Sequence, residues 1–316
     1  MNDSDRCVDC KNRAHPDYGD LNDASREVGQ FIPLHYHFQM LTDQVRMAGF
    51  REAIDTVVKP GATVLELGSG TGVLSYYAAQ KAGKVYSVEF NGELVEVSRR
   101  LLRNNPNGDR VEVVHADAFT YLPPEPVDAV VCEMLHVGLV REKQLQIIDS
   151  FKQRYSARFP GRRLPAFIPT ATIQAFQPVQ YDFTFEGYNA AIPVFQDPYS
   201  ADARALSLGD PVPYQQLLYE TPYELACRFN GPVPITTDGK LNALRFITKN
   251  LLAIKPDLTT VDWHNQFLII PLDHEISVHA GQAAMLNFDY APGDPLNAIH
   301  PVVTGVESLA VGISAA

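Results

Sequence analysis

Residues 64–72 read Val64-Leu65-Glu66-Leu67-Gly68-Ser69-Gly70-Thr71-Gly72, an apolar strand signal running straight into three alternate glycines. Glycine has no Cβ, so the chain there can turn tightly and approach a ligand closely. A helical pattern follows at once in LSYYAAQKA, which makes the unit a strand, a loop and a helix. Outward from it, VYSVEF, LVEVSRRLL, VEVVHAD and VDAVVCEML continue the alternation of apolar runs and helices. Strands separated by helices imply right-handed βαβ units and a mostly parallel sheet. An α/β domain is therefore expected over residues 31–165.

Upstream, HFQMLTDQVRMAGFREAIDTV brings Phe38, Leu41, Val45, Phe50, Ile54 and Val57 near one helical face, and Pro60-Gly61 ends it. Residues 1–30 are polar, lack a sustained apolar period and read as a flexible arm. After Arg162 the texture changes to β-rich runs between prolines: TATIQAF, ELACRF, ALRFITKNLLAI, QFLIIPL, ISVHA and AAMLNFDY. Residues 166–316 thus read as an antiparallel, barrel-like β domain. Within it, 188–213 is a long connection, and a compact domain seldom keeps one without a job. It is read as a lid or an oligomerisation arm.

Lys and Arg total 26 against 37 Asp and Glu, a net charge of −11. Such a surface repels phosphate backbones and attracts cations, so nucleic acid is disfavoured as a partner and a cationic substrate is favoured. No stretch is long and apolar enough to predict a membrane span. Four cysteines do not make a disulfide framework, which points to a reducing cytoplasm. Cys7 and Cys10 form a C-x-x-C pair with His15 nearby, but a zinc site wants four ligands, so they are read as free thiols and no metal is expected. Cys132 and Cys227 fall in strand-like runs and read as small buried apolar residues.

The glycine spacing discriminates between cofactors. A dinucleotide fingerprint places two residues between its second and third glycines. Here the third glycine comes one residue early and Val73 holds the dinucleotide position. Glu66 precedes the loop, Glu89 ends the second strand and Asp117 follows the third. S-adenosyl-L-methionine carries no phosphate; its cationic groups, ribose and adenine suit carboxylates. Glu89 is expected on the ribose hydroxyls and Asp117 on the adenine amino group.

Taken together, these motifs resemble the class I methyltransferases, with their Rossmann-like domain, and more narrowly the protein arginine methyltransferases. His37-x-x-Met40-Leu41-x-Asp43-x-x-Arg46 is similar to that family's helix before the glycine loop, whose arginine holds the cofactor carboxylate. Val64 to Ala79 is similar to its cofactor loop, and Glu133 with Glu142 resembles its pair of glutamates. The resemblance implies that Arg46, Glu66, Gly68, Gly70, Gly72, Glu89 and Asp117 bind the cofactor. It also implies that Glu133 and Glu142 orient a nitrogen nucleophile for in-line methyl transfer, and that the protein is a homodimer. The chemistry agrees: a guanidinium is a poor nucleophile, and two carboxylates can grip it and bias its charge.

Departures lie at the substrate walls. Met134, Leu135, His136 and Val137 replace the family's residues after the first glutamate, and Asp262 before Trp263 stands where the family has histidine. The tyrosine-rich N-terminal helix is represented by Glu27, Val28 and Phe31. His37, Met40, His136, Asp262 and Trp263 are the candidate pocket residues. The alternative to an arginine substrate is a small molecule methylated at nitrogen or oxygen on the same scaffold.

Overall fold

The computed structural model describes Ile32 and residues 34–308. Cys7, Cys10, His15, Glu27, Val28, Phe31 and the proposed arm at 1–30 lie outside them.

The single helix expected before the glycine loop is two helices, α1 (Leu34–Thr42) and α2 (Gln44–Val57). Asp43 breaks it. Its backbone is extended and its carboxylate accepts the Arg46 backbone N–H at 2.9 Å, capping α2. The proposed apolar face divides at the same point. Phe50 and Ile54 are buried, whereas Phe38 is 68% exposed and Leu41 and Val45 are also exposed.

The α/β domain holds β1 (Thr63–Leu67), α3 (Val73–Ala79), β2 (Lys84–Glu89), α4 (Gly92–Arg103), β3 (Val111–His115), β4 (Ala129–Cys132), α5 (Gln144–Arg158) and β5 (Ala166–Ile168). All five strands are parallel, in the order β3-β2-β1-β4-β5. The parallel unit therefore runs past residue 165 to Ile168, because β5 pairs with β4. The strand order reverses direction between β1 and β4, and ligand crevices in such sheets lie at the carboxyl ends of strands beside that switch. Leu67 pairs with Cys132 there, so the glycine loop and Glu133 leave the sheet side by side.

The second half is antiparallel, as expected. Its larger sheet is built on β6 (Ala171–Tyr181), β13 (Gly239–Ile254) and β15 (Phe267–Val278), with β11 (Val212–Leu218) on β6 and β14 (Thr260–His264) on β13. A smaller sheet runs β12 (Cys227–Pro234), β16 (Gln282–Tyr290), β17 (Val302–Ser308). The two close on an aromatic core in which Phe176 meets Phe229 and Phe288 edge-on, at centroid distances of 4.8 and 5.4 Å. Cys132 and Cys227 are buried free thiols in β4 and β12, as read from the sequence.

Residues 188–213 are not a free arm. Val194–Gln196 pairs with β15 at one edge of the large sheet, and Ala205–Ser207 pairs with β6 at the other. Tyr188, Ile192 and Tyr199 present large exposed side chains away from these pairings; Tyr188 is 74% exposed. Among the described residues no helix is long and apolar enough to cross a membrane, and no cluster of side chains is arranged to hold a metal ion.

Candidate active site

A cavity of about 560 Å³ opens at the carboxyl ends of β1, β2 and β4 and is roofed by α1 and α2. It gathers most of the residues singled out from the sequence: His37, Met40, Arg46, Glu66, Gly68, Gly70, Glu89, Asp117, Glu133 and Glu142 all line it. Gly72 does not. A Cβ on Gly72 would stand 2.5 Å from Ser98 Oγ, so this glycine serves the close seating of α4 against the loop.

Glu89 shapes the glycine loop from below. One carboxylate oxygen accepts the Gly70 N–H and the other the Asn91 N–H, each at 2.8 Å. Asp117 accepts the Phe119 N–H at 2.8 Å, which fixes its carboxylate beside the cavity. Glu66 is buried and accepts a hydrogen bond from Ser75, a residue the sequence did not flag. Burial outweighs that bond and pushes the Glu66 carboxyl up to about 8.

Glu133 and Glu142 both line the cavity, near enough for the charge of one to act on the other. Glu133 holds the Arg46 guanidinium in an ion pair, and that guanidinium also lies over the Trp263 ring, 5.2 Å from its centroid. Burial still raises the Glu133 carboxyl above its ordinary range, against the pull of Arg46. Among the described residues Glu142 makes no ion pair, and Arg46 and Arg141 only partly offset its burial. Burial, and then the neighbouring Glu133, push it up to about 8. The walls keep unmet bonding capacity: His37 Nε2, Arg46 Nε and Ser69 Oγ are buried without a hydrogen-bond partner among the described residues.

Three proposed pocket residues fall elsewhere. His136 turns away to pack edge-on against Phe195 and does not line the cavity; burial lowers its imidazole to about 4. Asp262 is paired with Lys249 at 2.5 Å, so it adds no free charge for a substrate. Trp263 is a core residue against Phe50, reaching the site only through Arg46. Sequence reasoning also missed Gln144, which is buried, accepts the Met134 N–H at 2.9 Å and donates to the Cys132 carbonyl at 2.7 Å. Nothing in its local sequence marks it; only the folding back of α5 onto β4 does.

The two carboxyls raised to about 8, Glu66 and Glu142, give a stability signature. A carboxyl whose folded pKa exceeds its ordinary value of 4.5 binds its proton more tightly in the fold. It lends most stability below that value and withdraws it as pH climbs toward 8. The ligand-free protein should therefore lose melting temperature from about pH 5 to pH 8, less steeply in Glu142→Gln, as calorimetry at a series of pH values would read. Equal slopes in both proteins would count against the raised Glu142 carboxyl.

The model of a methyltransferase domain matches residues 64–154. An uncharacterized protein of Methanocaldococcus jannaschii is 25% identical over 84% of this chain and 95% of its own length. Another, from Methanothermobacter thermautotrophicus, is 30% identical over 75% of this chain and 86% of its own length. The arginine N(omega)-methyltransferase of Streptomyces achromogenes is 32% identical over 38% of this chain; the match spans 35% of that enzyme. Among solved structures, a Trypanosoma brucei PRMT1 enzyme–prozyme complex with AdoHcy superposes with a TM-score of 0.66 at 15% identity, covering 90% of this chain and 99% of that one. That likeness is one of fold.

Proposed function

Since the chain carries a methyltransferase domain and resembles the protein arginine methyltransferases, we propose that its acceptor is the guanidinium nitrogen of an arginine side chain. One observation carries this reading. Glu133 and Glu142 converge on the cavity, and Glu133 already grips a guanidinium, that of Arg46.

The walls suit the cofactor. The glycine loop leaves room that a Cβ would fill, Glu89 and Asp117 offer fixed carboxylates, and His37 Nε2 and Ser69 Oγ are buried polar atoms in want of partners. Arg46 is the guanidinium that would meet the cofactor's carboxylate. When bound, the cofactor supplies an electrophilic methyl on a sulfonium, which a nitrogen nucleophile takes by in-line displacement.

The residues of this chain do the rest. Glu133 and Glu142 form charge-assisted bonds with an incoming guanidinium, hold one nitrogen toward the cofactor side of the cavity and draw positive charge away from it. Methylated guanidinium keeps its charge but releases one proton, and Glu142, poised near neutrality, is the acceptor at hand.

Incubation with labelled S-adenosylmethionine and either arginine-rich peptide or free arginine tests the reading. Label on peptide arginine supports it. Label appearing only on free arginine would move the acceptor to the small-molecule class, and label on neither would reject a guanidinium acceptor. We further propose a homodimer in a reducing cytoplasm. Support comes from the exposed Tyr188 and Ile192 turn and from the buried free thiols. Sedimentation of a Tyr188→Asp, Ile192→Asp variant should read a monomer; an unchanged dimer would place the contact elsewhere.

A further inference from the structure

Beyond Cys132, β4 has no strand partner, so the sheet does not define the path of residues 133–142. That path is demanding. Gly138, Leu139 and Arg141 have φ of 70, 56 and 68°, a region non-glycine residues enter only when their surroundings hold them there. The β domain holds them: Thr248 Oγ1 accepts the Gly138 N–H at 2.8 Å, the Tyr290 hydroxyl donates to the Gly138 carbonyl at 2.9 Å, and the Asp294 carbonyl accepts the Arg141 N–H at 2.7 Å; a second set of bonds reaches the residues closer to Glu133.

Asn265 donates from Nδ2 to the Leu135 carbonyl at 2.8 Å, and its Oδ1 accepts from Asn250 at 2.9 Å. Asn250 accepts from Thr172 at 2.8 Å, and Thr172 meets the Tyr219 hydroxyl at 2.8 Å. Tyr219 also lies within electrostatic reach of Gln144, which bonds the Cys132 carbonyl and the Met134 N–H. The chain starts on the two backbone groups flanking Glu133 and returns, through β6, β13 and the connections that hold Tyr219 and Asn265, to the carbonyl two residues beyond it. Thr172, Asn250 and Tyr219 are wholly buried, in positions where apolar side chains would pack. A buried polar group is unfavourable unless fully bonded, and a fully bonded network fixes one geometry. No member of the chain other than Gln144 adjoins the cavity residues in sequence, and none lines the cavity.

We propose that this buried chain is a brace that sets the position of Glu133, with Asn265 and, at longer range, Thr172 as positioning residues. The inference rests on the reading that Glu133 grips the acceptor. It also predicts that changes in the β domain, well away from both substrates, act on turnover rather than on binding.

Two variants test it: Asn265→Leu, which removes the bond to Leu135, and Thr172→Val, which keeps shape and removes one remote hydroxyl. Hydrogen exchange of the amides of residues 134–139, kcat, KM and S-adenosylhomocysteine affinity are measured on each. Faster exchange is expected in both. kcat should fall at least about tenfold in Asn265→Leu and about threefold in Thr172→Val, with cofactor affinity within about twofold of the parent. Unchanged exchange and kcat in the folded Thr172→Val protein would overturn the brace, as would a loss confined to KM. If the parent transferred no methyl to any guanidine, the proposed function would fall, while exchange of the loop would still decide whether the brace exists.

Discussion

Glu133→Gln is expected to lower turnover about a thousandfold while leaving S-adenosylhomocysteine affinity within about threefold, as read by methyl transfer and calorimetry. The substitution is nearly isosteric, so the brace to Leu135 and Met134, which runs through backbone groups, is left in place. What is lost is a charge. An amide still accepts a hydrogen bond from a guanidinium, but charge-assisted bonds are roughly twice as strong, and only a carboxylate draws positive charge from the reacting nitrogen. The cofactor side of the cavity, with Glu89, Asp117 and the glycine loop, keeps its contacts. Arg46 loses its present partner, which leaves it freer to serve the cofactor's carboxylate. Turnover equal to that of the parent would remove Glu133 from the reaction. A parallel loss of cofactor affinity would instead make the Arg46–Glu133 pair part of the cofactor site.

The residues that carry this chemistry were legible in the sequence where chemistry and local spacing coincide. The glycine loop, Glu89 and Asp117 each lie at or just beyond the end of a strand of a sheet whose alternation with helices is plain, so topology alone carries them to one crevice. Other features were hidden because nothing local marks them. The apolar period runs unbroken through Asp43, and only the capping bond to Arg46 shows that the helix ends there. Val194–Gln196 and Ala205–Ser207 are too short to display alternation, so two edge strands read as a loose connection. Asp262 reads as a candidate pocket residue by its place before Trp263; strand pairing sets Lys249 near it on β13, and the two neutralise each other. The brace from Gln144 to Asn265 is the extreme case. Its members are single polar residues spread from 144 to 265, and they form a chain only after both domains have folded against each other.

Gly70→Arg should weaken cofactor binding at least about a hundredfold, equivalent to about 2.7 kcal/mol, while the protein still unfolds cooperatively. Three observations converge on this position. Its φ of 53° lies in the left-handed region, which non-glycine residues occupy at a cost of roughly 1–2 kcal/mol. A Cβ there would stand 2.6 Å from His37 Cε1, and His37 belongs to α1 on the opposite wall of the cavity. The Gly70 N–H is also what Glu89 accepts, so a displaced loop disturbs the carboxylate proposed for the ribose. A long side chain at this point fills the cleft between loop and α1, and the steric effect acts on the ligand's space rather than on the core. Gly72 supplies the contrast: its Cβ would meet Ser98 and Leu102 of α4, inside the packed domain. Gly72→Ala should therefore lower the melting temperature more than it lowers affinity, and Gly70→Arg the reverse. Measured together by calorimetry and thermal unfolding, the two glycines separate a loop that admits a ligand from a loop that seats a helix. If Gly70→Arg bound the cofactor as the parent does, the cavity at the carboxyl end of β1 would not be the cofactor site.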